Sequence, residues 1–254
     1  MPILDGKVAL VTGASRGIGA AIAVALAAKG AAVFLAANDT EEWFQRVEAK
    51  CKEAHPGVRV GRGVFDFFRA GAAEKMVAAA VAALGRVDIL VNNAGIRIRK
   101  PLGEFSHEDF DQVVAVNLKA PFFATQAVIP VMRAQGGGRI VNIASQMAEI
   151  AEQNLALYGL TKAALVHLTK SMAFELAPHN IIVNAVSPGP TMTEYNVART
   201  AQHPEYKALK MAHIRAGRYG RPEEIAEVVA FLATTDATYM QGHNLIVDGG
   251  YVIH

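Results

Sequence analysis

A short apolar run at residues 7–12 breaks into Gly13-Ala14-Ser15-Arg16-Gly17-Ile18-Gly19, which opens an alanine-rich stretch reaching about residue 29. Apolar and β-branched residues without polar alternation read as a strand buried on both faces, a property of central strands in parallel sheets. The glycines let the backbone come close to a ligand, and the helix that follows presents free N–H groups to an anion. The segment therefore predicts a phosphate cradle at the carboxyl end of a central strand. Its Gly-x-x-x-Gly-x-Gly spacing differs from the more familiar Gly-x-Gly-x-x-Gly, and an ordinary glycine-rich turn between two core elements also fits the local sequence.

The alternation continues to the end of the chain. Further strands are expected at residues 31–37, 58–64, 87–91, 139–144, 181–187 and 244–248, and helices at 41–54, 70–84 and 158–177. Ser106 with Asp109 reads as a capping box for another long helix, and Pro222 with Glu223 and Glu224 as a start suited to the helix dipole. Strands separated by helices predict an α/β fold with one parallel sheet of about seven strands. Residues 192–218 lack clean periodicity and read as a binding loop spanning about 190–220. No repeat, low-complexity tract or linker interrupts the chain, so residues 1–254 are expected to form one domain.

Composition excludes several classes. A formal charge of +2 is too mild for a nucleic-acid partner, which needs a clustered basic face. No charge-free run of about eighteen apolar residues appears, so no membrane span is expected. Residues 1–6 lack the basic region and apolar core of a secretory signal, which leads to an expectation of cytoplasmic residence. Lone Cys51 allows no internal disulfide, and the eight histidines show none of the spacings that bind zinc, so no metal site is expected.

Tyr158 and Lys162 stand four apart in a helical stretch and project from one face. A nearby ammonium favours the phenolate and can tune a phenol into a usable acid or base. Ser145 follows a buried strand, where its hydroxyl can bond a carbonyl oxygen held at the same place. Tyr-x-x-x-Lys alone arises often by chance, as a surface aromatic beside a lysine.

Other positions agree with a cleft at the strand ends. In Asn92-Asn93-Ala94-Gly95 an amide can tie neighbouring strands, while Ala94 and Gly95 leave room for a flat ring or a ribose. Asp66 directly after its strand can accept from an adenine amino group or cap the next helix. Pro121 has no N–H for the carbonyl of Asn117, which leaves either a free carbonyl or a simple kink.

Taken together, Thr12-Gly13-x-x-x-Gly17-x-Gly19, Asn92-Asn93-Ala94-Gly95, Asn117, Ser145, Tyr158-x-x-x-Lys162 and Pro188-Gly189 resemble the classical short-chain dehydrogenase/reductase family, in order and over nearly the whole chain. The similarity includes its 3-oxoacyl-(acyl-carrier-protein) reductases and its sugar and polyol dehydrogenases. It implies a doubly wound Rossmann fold that binds NAD(P) along the carboxyl ends of the strands and exchanges a hydride with a ketone or secondary alcohol. Tyr158 would give or take the proton on oxygen, and Ser145 would bond that oxygen. Lys162 would lower the tyrosine pKa and hold the nicotinamide ribose, and Asn117 would sustain a water relay.

Cofactor contacts are expected from Gly13, Ser15, Arg16, Gly17, Ile18, Gly19, Asn38, Asp66, Phe67, Asn93, Ala94, Gly95, Tyr158, Lys162, Pro188, Gly189, Thr191 and Thr193. The second strand ends in Ala37 and Asn38, with Asp39 one step later, and Arg16 can pair with a 2'-phosphate there; this favours NADP(H) over NAD(H), against the acidity of Asp39.

The substrate side is expected from Arg97, Ser145, Gln146, Met147, Gln153, Leu155 and Tyr158. Gln153 suits a polyol or sugar, whereas Met147 and Leu155 suit an aliphatic or cyclic ketone. Arg97, Arg99 and Lys100 read first as a solvated loop, with attraction of an acidic substrate or acyl carrier protein as the alternative. The apolar tail at Tyr251, Val252 and Ile253 suggests packing on another subunit, consistent with the homotetramers of the family. A cofactor-binding sensor without turnover is the rival of another class.

Overall fold

The computed structural model describes residues 3–236 and 238–253. Seven parallel strands form one sheet: β1 (Val8–Thr12), β2 (Ala32–Ala37), β3 (Val60–Val64), β4 (Ile89–Asn92), β5 (Gly138–Ile143), β6 (Ile181–Pro188) and β7 (Asn244–Val247). Their spatial order is β3-β2-β1-β4-β5-β6-β7, so the direction of winding reverses between β1 and β4. A crevice opens at the carboxyl ends of strands at such a reversal.

Side-chain alternation divides each central strand between two cores. Ala9 and Val11 of β1, with Val33, Leu35 and Ala37 of β2, pack against α1 (Gly17–Ala28), α2 (Glu41–Ala54) and, near the other end of the sheet, α9 (Pro222–Thr234). Val8 and Leu10, with Ala32, Phe34 and Ala36, face α3 (Ala72–Leu84), α5 (Ala120–Ala134) and α6 (Ala156–Leu176). Both faces of β1 are therefore dry, which is why its sequence shows no polar alternation. Burying one such aliphatic side chain contributes about 1.5–3 kcal/mol.

Helix α4 (His107–Val114) opens on the Ser106–Asp109 capping box and runs through a π turn, Ala115–Lys119, into α5. The amide of Ala120 reaches back to the carbonyl of Ala115, one residue further than in an α-helix. Pro121 sits just beyond, so the expected disturbance takes the form of a π turn and not a simple kink. The composite His107–Ala134 helix is, by length and composition, apolar enough to cross a membrane. Here its apolar stripe of Val113, Ala124, Val128 and Met132 is buried inside the protein.

Three expectations are corrected. The stretch read as an irregular loop contains two helices, α7 (Glu194–Gln202) and α8 (Pro204–His213). Asp66 does not cap the next helix, because α3 begins at Ala72 with Gly71 at its N-cap; its carboxylate accepts from the Phe68 amide instead. The tail is not wholly apolar surface: Tyr251 is buried with Ile214 and Tyr219, and Asp248 accepts from the amides of Gly250 and Val252. Ile253 alone of those three residues is strongly exposed, at 80%.

At the opposite end of the sheet from the crevice, Asp88 ties β1 to β4. Its carboxylate accepts from the Val8 amide at 2.9 Å and from Arg86 at 2.6 and 2.7 Å, with Lys7 nearby. Burial would raise its pKa, but Arg86, the Val8 amide and Lys7 hold it below the ordinary carboxylate value. A depressed carboxylate stabilises the fold at pH above its unfolded value, and that contribution fades as pH falls through the folded value. Asp88→Asn is expected to cost about 1–3 kcal/mol at neutral pH in urea unfolding, with the gap to the parent narrowing in acid. A gap independent of pH would show that the charge is not what matters.

Candidate active site

The carboxyl ends of the strands meet the glycine loop in two adjoining cavities of about 500 and 600 Å³ that share Ile18, Asn93, Gly95, Ile96, Thr193 and Tyr195, and so form one cleft. Gly13, Ser15, Arg16, Gly17, Ile18, Gly19, Asn38, Asp66, Phe67, Asn93, Ala94, Gly95 and Thr193 line one part. Ser145, Gln146, Met147, Leu155, Tyr158, Lys162, Pro188, Gly189, Thr191 and Arg97 line the other.

Local chemistry explains the shape of the first part. Thr12 at the end of β1 accepts at Oγ1 from the amides of Asn93 and Ala94, both at 2.9 Å, while the Asn93 amide group donates to the carbonyls of Thr12 and Gly13. These bonds bring the end of β4 hard against the glycine loop. A Cβ on Gly19 would lie 2.1 Å from the Gly13 oxygen, so only glycine permits this approach. Arg16 at the N-cap of α1 makes no capping bond and no acidic residue stands in the first turn. The N–H groups of that turn are thus left for an anion. Neighbouring Asn92 donates to Asn142, which donates to Thr169, linking β4, β5 and α6. The loop and its free helix end fit the phosphates of a dinucleotide.

In the second part, α6 brings Tyr158 and Lys162 to the cleft. Its rows of Leu157, Thr161 and Leu165 pack inward, which turns the first helical turn toward the strand ends. Lys162 is buried, donates to the Ile143 carbonyl at 2.7 Å, and stands 5.8 Å from the centre of the Tyr158 ring. Burial pushes its pKa down to about 8. Ser145 at the end of β5 lines the cleft with Tyr158, whose pKa it lowers, and accepts from the Met147 amide at 3.1 Å.

The electrostatics differ from expectation in one respect. Burial raises the Tyr158 pKa above the ordinary phenol value, while Ser145 and the charges of Arg97 and Arg99 pull it downward without reversing the shift.

Asn117 is fully buried in the π turn, where its side-chain amide accepts from the Ile96 amide at 2.8 Å and donates to the Ile96 carbonyl and to Thr161. It therefore braces the segment that carries Arg97 against the helix that carries Lys162. Gln153, expected in the substrate wall, is exposed in the turn before α6 and lies outside the cleft; Glu152 lines it in its place. Lys100 also turns away, to Asp109 at 2.6 Å, whereas Arg97 and Arg99 line the cleft and do not form the solvated loop expected of them.

Sequence reasoning missed Tyr195, Asn196, Tyr206, Lys210 and Tyr219, which come from α7, α8 and the segment after them. The Trp43 ring lies near the guanidinium groups of Arg16 and Arg46, at 5.6 and 5.0 Å.

Known proteins are similar to this chain in sequence and fold. Residues 13–252 match the family described as Enoyl-(Acyl carrier protein) reductase. The chain is 38% identical to gluconate 5-dehydrogenase of Gluconobacter oxydans over 98% of its own length and 96% of the relative's. It is 39% identical to a 3-oxoacyl-(acyl-carrier-protein) reductase of Thermotoga maritima over 98% and 99% of the two chains. Identity to D-threitol dehydrogenase of Mycolicibacterium smegmatis is 40%, over 98% and 94%. A crystal structure of a Beutenbergia cavernae protein with NADP bound at low occupancy superposes with a TM-score of 0.91 at 36% identity and covers 100% of both chains. With fold, cleft and sequence in agreement, the chain belongs to the short-chain dehydrogenase/reductase family and is an NAD(P)-dependent oxidoreductase that acts between ketones and secondary alcohols.

Proposed function

We propose that this enzyme interconverts a sugar-derived or polyol alcohol and its ketone with Tyr158 as acid/base. The observation that carries the reading is the meeting of Ser145, Tyr158 and Lys162 in a cleft continuous with the glycine loop. The nicotinamide, when bound, supplies or accepts the hydride at its C4. Tyr158 donates a proton to the carbonyl oxygen in reduction and withdraws it in oxidation. Ser145 holds that oxygen, and the two donors stabilise the charge that grows on it. Lys162 holds the ribose from its buried place beside Gly95, and Asn117 keeps Lys162 and the Ile96 backbone in register.

Gly13 to Gly19 cradle the pyrophosphate, with Asn38, Asp66 and Phe67 at the adenosine end and Pro188, Gly189, Thr191 and Thr193 toward the nicotinamide. NADP(H) is the preferred cofactor. Asp39 is already paired, accepting from Ser15 at 2.8 Å and facing Arg16 at 3.3 Å, while Arg16 and Arg46 flank Trp43 as a cationic shelf. The enzyme works as one domain in the cytoplasm and as a homotetramer, without nucleic-acid or membrane partners. Reduction of a 3-oxoacyl thioester is the second reading, supported by the Thermotoga relative.

Absorbance of the reduced nicotinamide, followed with both cofactors over sugars, sugar acids, polyols, simple ketones and a 3-oxoacyl thioester, tests these readings. Turnover is expected, with kcat/KM favouring NADPH and that preference falling about tenfold in Arg16→Ala. A preference for NADH unchanged by the substitution overturns the cofactor choice. Tight cofactor binding without turnover of any member points to a sensor.

A further inference from the structure

The wall around Tyr158 carries more positive charge than the chain neutralises. Residues 93–101 run without regular structure, and Arg97 and Arg99, two apart, both reach the cleft. Buried Lys210 comes to the same wall from α8. Among the described residues lining this part of the cleft, Glu152 is the one carboxylate. It is shared, taking Arg99 at 3.0 Å and a close contact from Lys210. Arg97 stacks on the Tyr195 ring at 5.0 Å and faces no carboxylate there. These three cations and Lys162, against one anion, leave an excess of positive charge in a partly desolvated place, a costly arrangement unless a ligand completes it.

Unspent polar atoms point the same way. The Arg99 Nε and the Tyr219 hydroxyl are buried without a partner among the described residues, although Arg99 already donates through Nη2 to Glu152 and to the Tyr206 hydroxyl at 2.9 Å. Gln146 Oε1, next to Ser145, is a buried acceptor also without a donor. Unused N–H and O–H donors beside excess positive charge suit an anionic oxygen group, and an unused acceptor near the reacting position suits a hydroxyl.

Building on the dehydrogenase reading, the geometry points to a polyhydroxy or keto acid as substrate, its carboxylate against Arg97, Arg99 and Tyr219, a hydroxyl on Gln146 and its reacting carbon at Ser145 and Tyr158. Neutral polyols of the same length leave Arg97 without a carboxylate and the Arg99 Nε unused. A phosphate ester places a second negative charge and more bulk next to Glu152.

Titration calorimetry on the full chain saturated with NADPH, which accepts no hydride from an alcohol, separates binding from turnover. The probes are five- and six-carbon aldonates including D-gluconate, the matching alditols, and hexose 6-phosphates. At least one aldonate is expected to bind about tenfold or more tighter than its alditol, and to lose about tenfold in Arg99→Met and in Arg97→Met, with NADPH affinity unchanged. Arg97→Met leaves both Glu152 pairs intact and serves as the variant least exposed to misfolding. Alditols binding as tightly as aldonates, aldonate affinity unchanged in both variants, or hexose phosphates binding most tightly would each overturn the assignment. Aldonate binding that the arginine variants weaken, with no oxidation when NADP+ is supplied, retains the acid site and rejects the dehydrogenase reading. Oxidation of alditols in preference to aldonates does the reverse.

Discussion

Replacing Tyr158 by Phe is expected to lower kcat by about 10²–10⁴, the usual worth of a positioned acid or base, while cofactor affinity stays within a few-fold of the parent. The ring and its place in α6 are kept, so packing against Ser145 and Lys162 changes little. What is lost is the one hydroxyl that can pass a proton to the substrate oxygen. Residual turnover within tenfold of the parent would remove Tyr158 from this role. The pH dependence has a definite sign: burial holds the phenol above its ordinary pKa despite Arg97 and Arg99. Alcohol oxidation needs the deprotonated form and should climb with pH into the alkaline range. Ketone reduction needs the protonated form and should persist there.

Gly19→Ala is expected to abolish useful cofactor binding and to destabilise the chain. The new Cβ would lie 2.1 Å from the Gly13 oxygen and 2.5 Å from the Asn93 amide nitrogen. Neither can step aside freely, because one is main chain and the other is bonded to the Thr12 and Gly13 carbonyls. Overpacking of this kind costs about 1–3 kcal/mol, or more where backbone must move. In a chain of this size that is a fall in Tm of about 2–12 °C. Gly103→Ala, with open space around it and an ordinary backbone, serves as the control and should change neither quantity appreciably. Equal NADPH affinity in Gly19→Ala and Gly103→Ala would show that the loop does not hold the pyrophosphate.

Legibility followed the range of the interactions. The α2 boundaries at Glu41 and Ala54 were readable because a polar, amphipathic pattern records which face is buried. The Ser106–Asp109 box was readable because both halves of its bonding lie within four residues. Helix α7 buries no residue: its Tyr195 and Asn196 line the cleft, so its face is not packed into a core. The misplacement of Gln153 has a longer-range cause. A left-handed turn at Asn154, whose carbonyl accepts from the Lys100 amide, orients this wall, and no spacing rule encodes that contact.

From the sequence alone came the alternation of dry strands and helices, the glycine loop, and the pairing of Tyr158 with Lys162 on one helix, since each depends on neighbours a few residues apart. Only the tertiary structure decided which charges meet in the cleft. Arg99 reaches Tyr206 across 107 positions and Lys210 reaches Glu152 across 58. Sheet order sets such meetings, and it arises from the packing of whole layers. For that reason Arg97 and Arg99, read from the sequence as a solvated loop, line the cleft together with Tyr158.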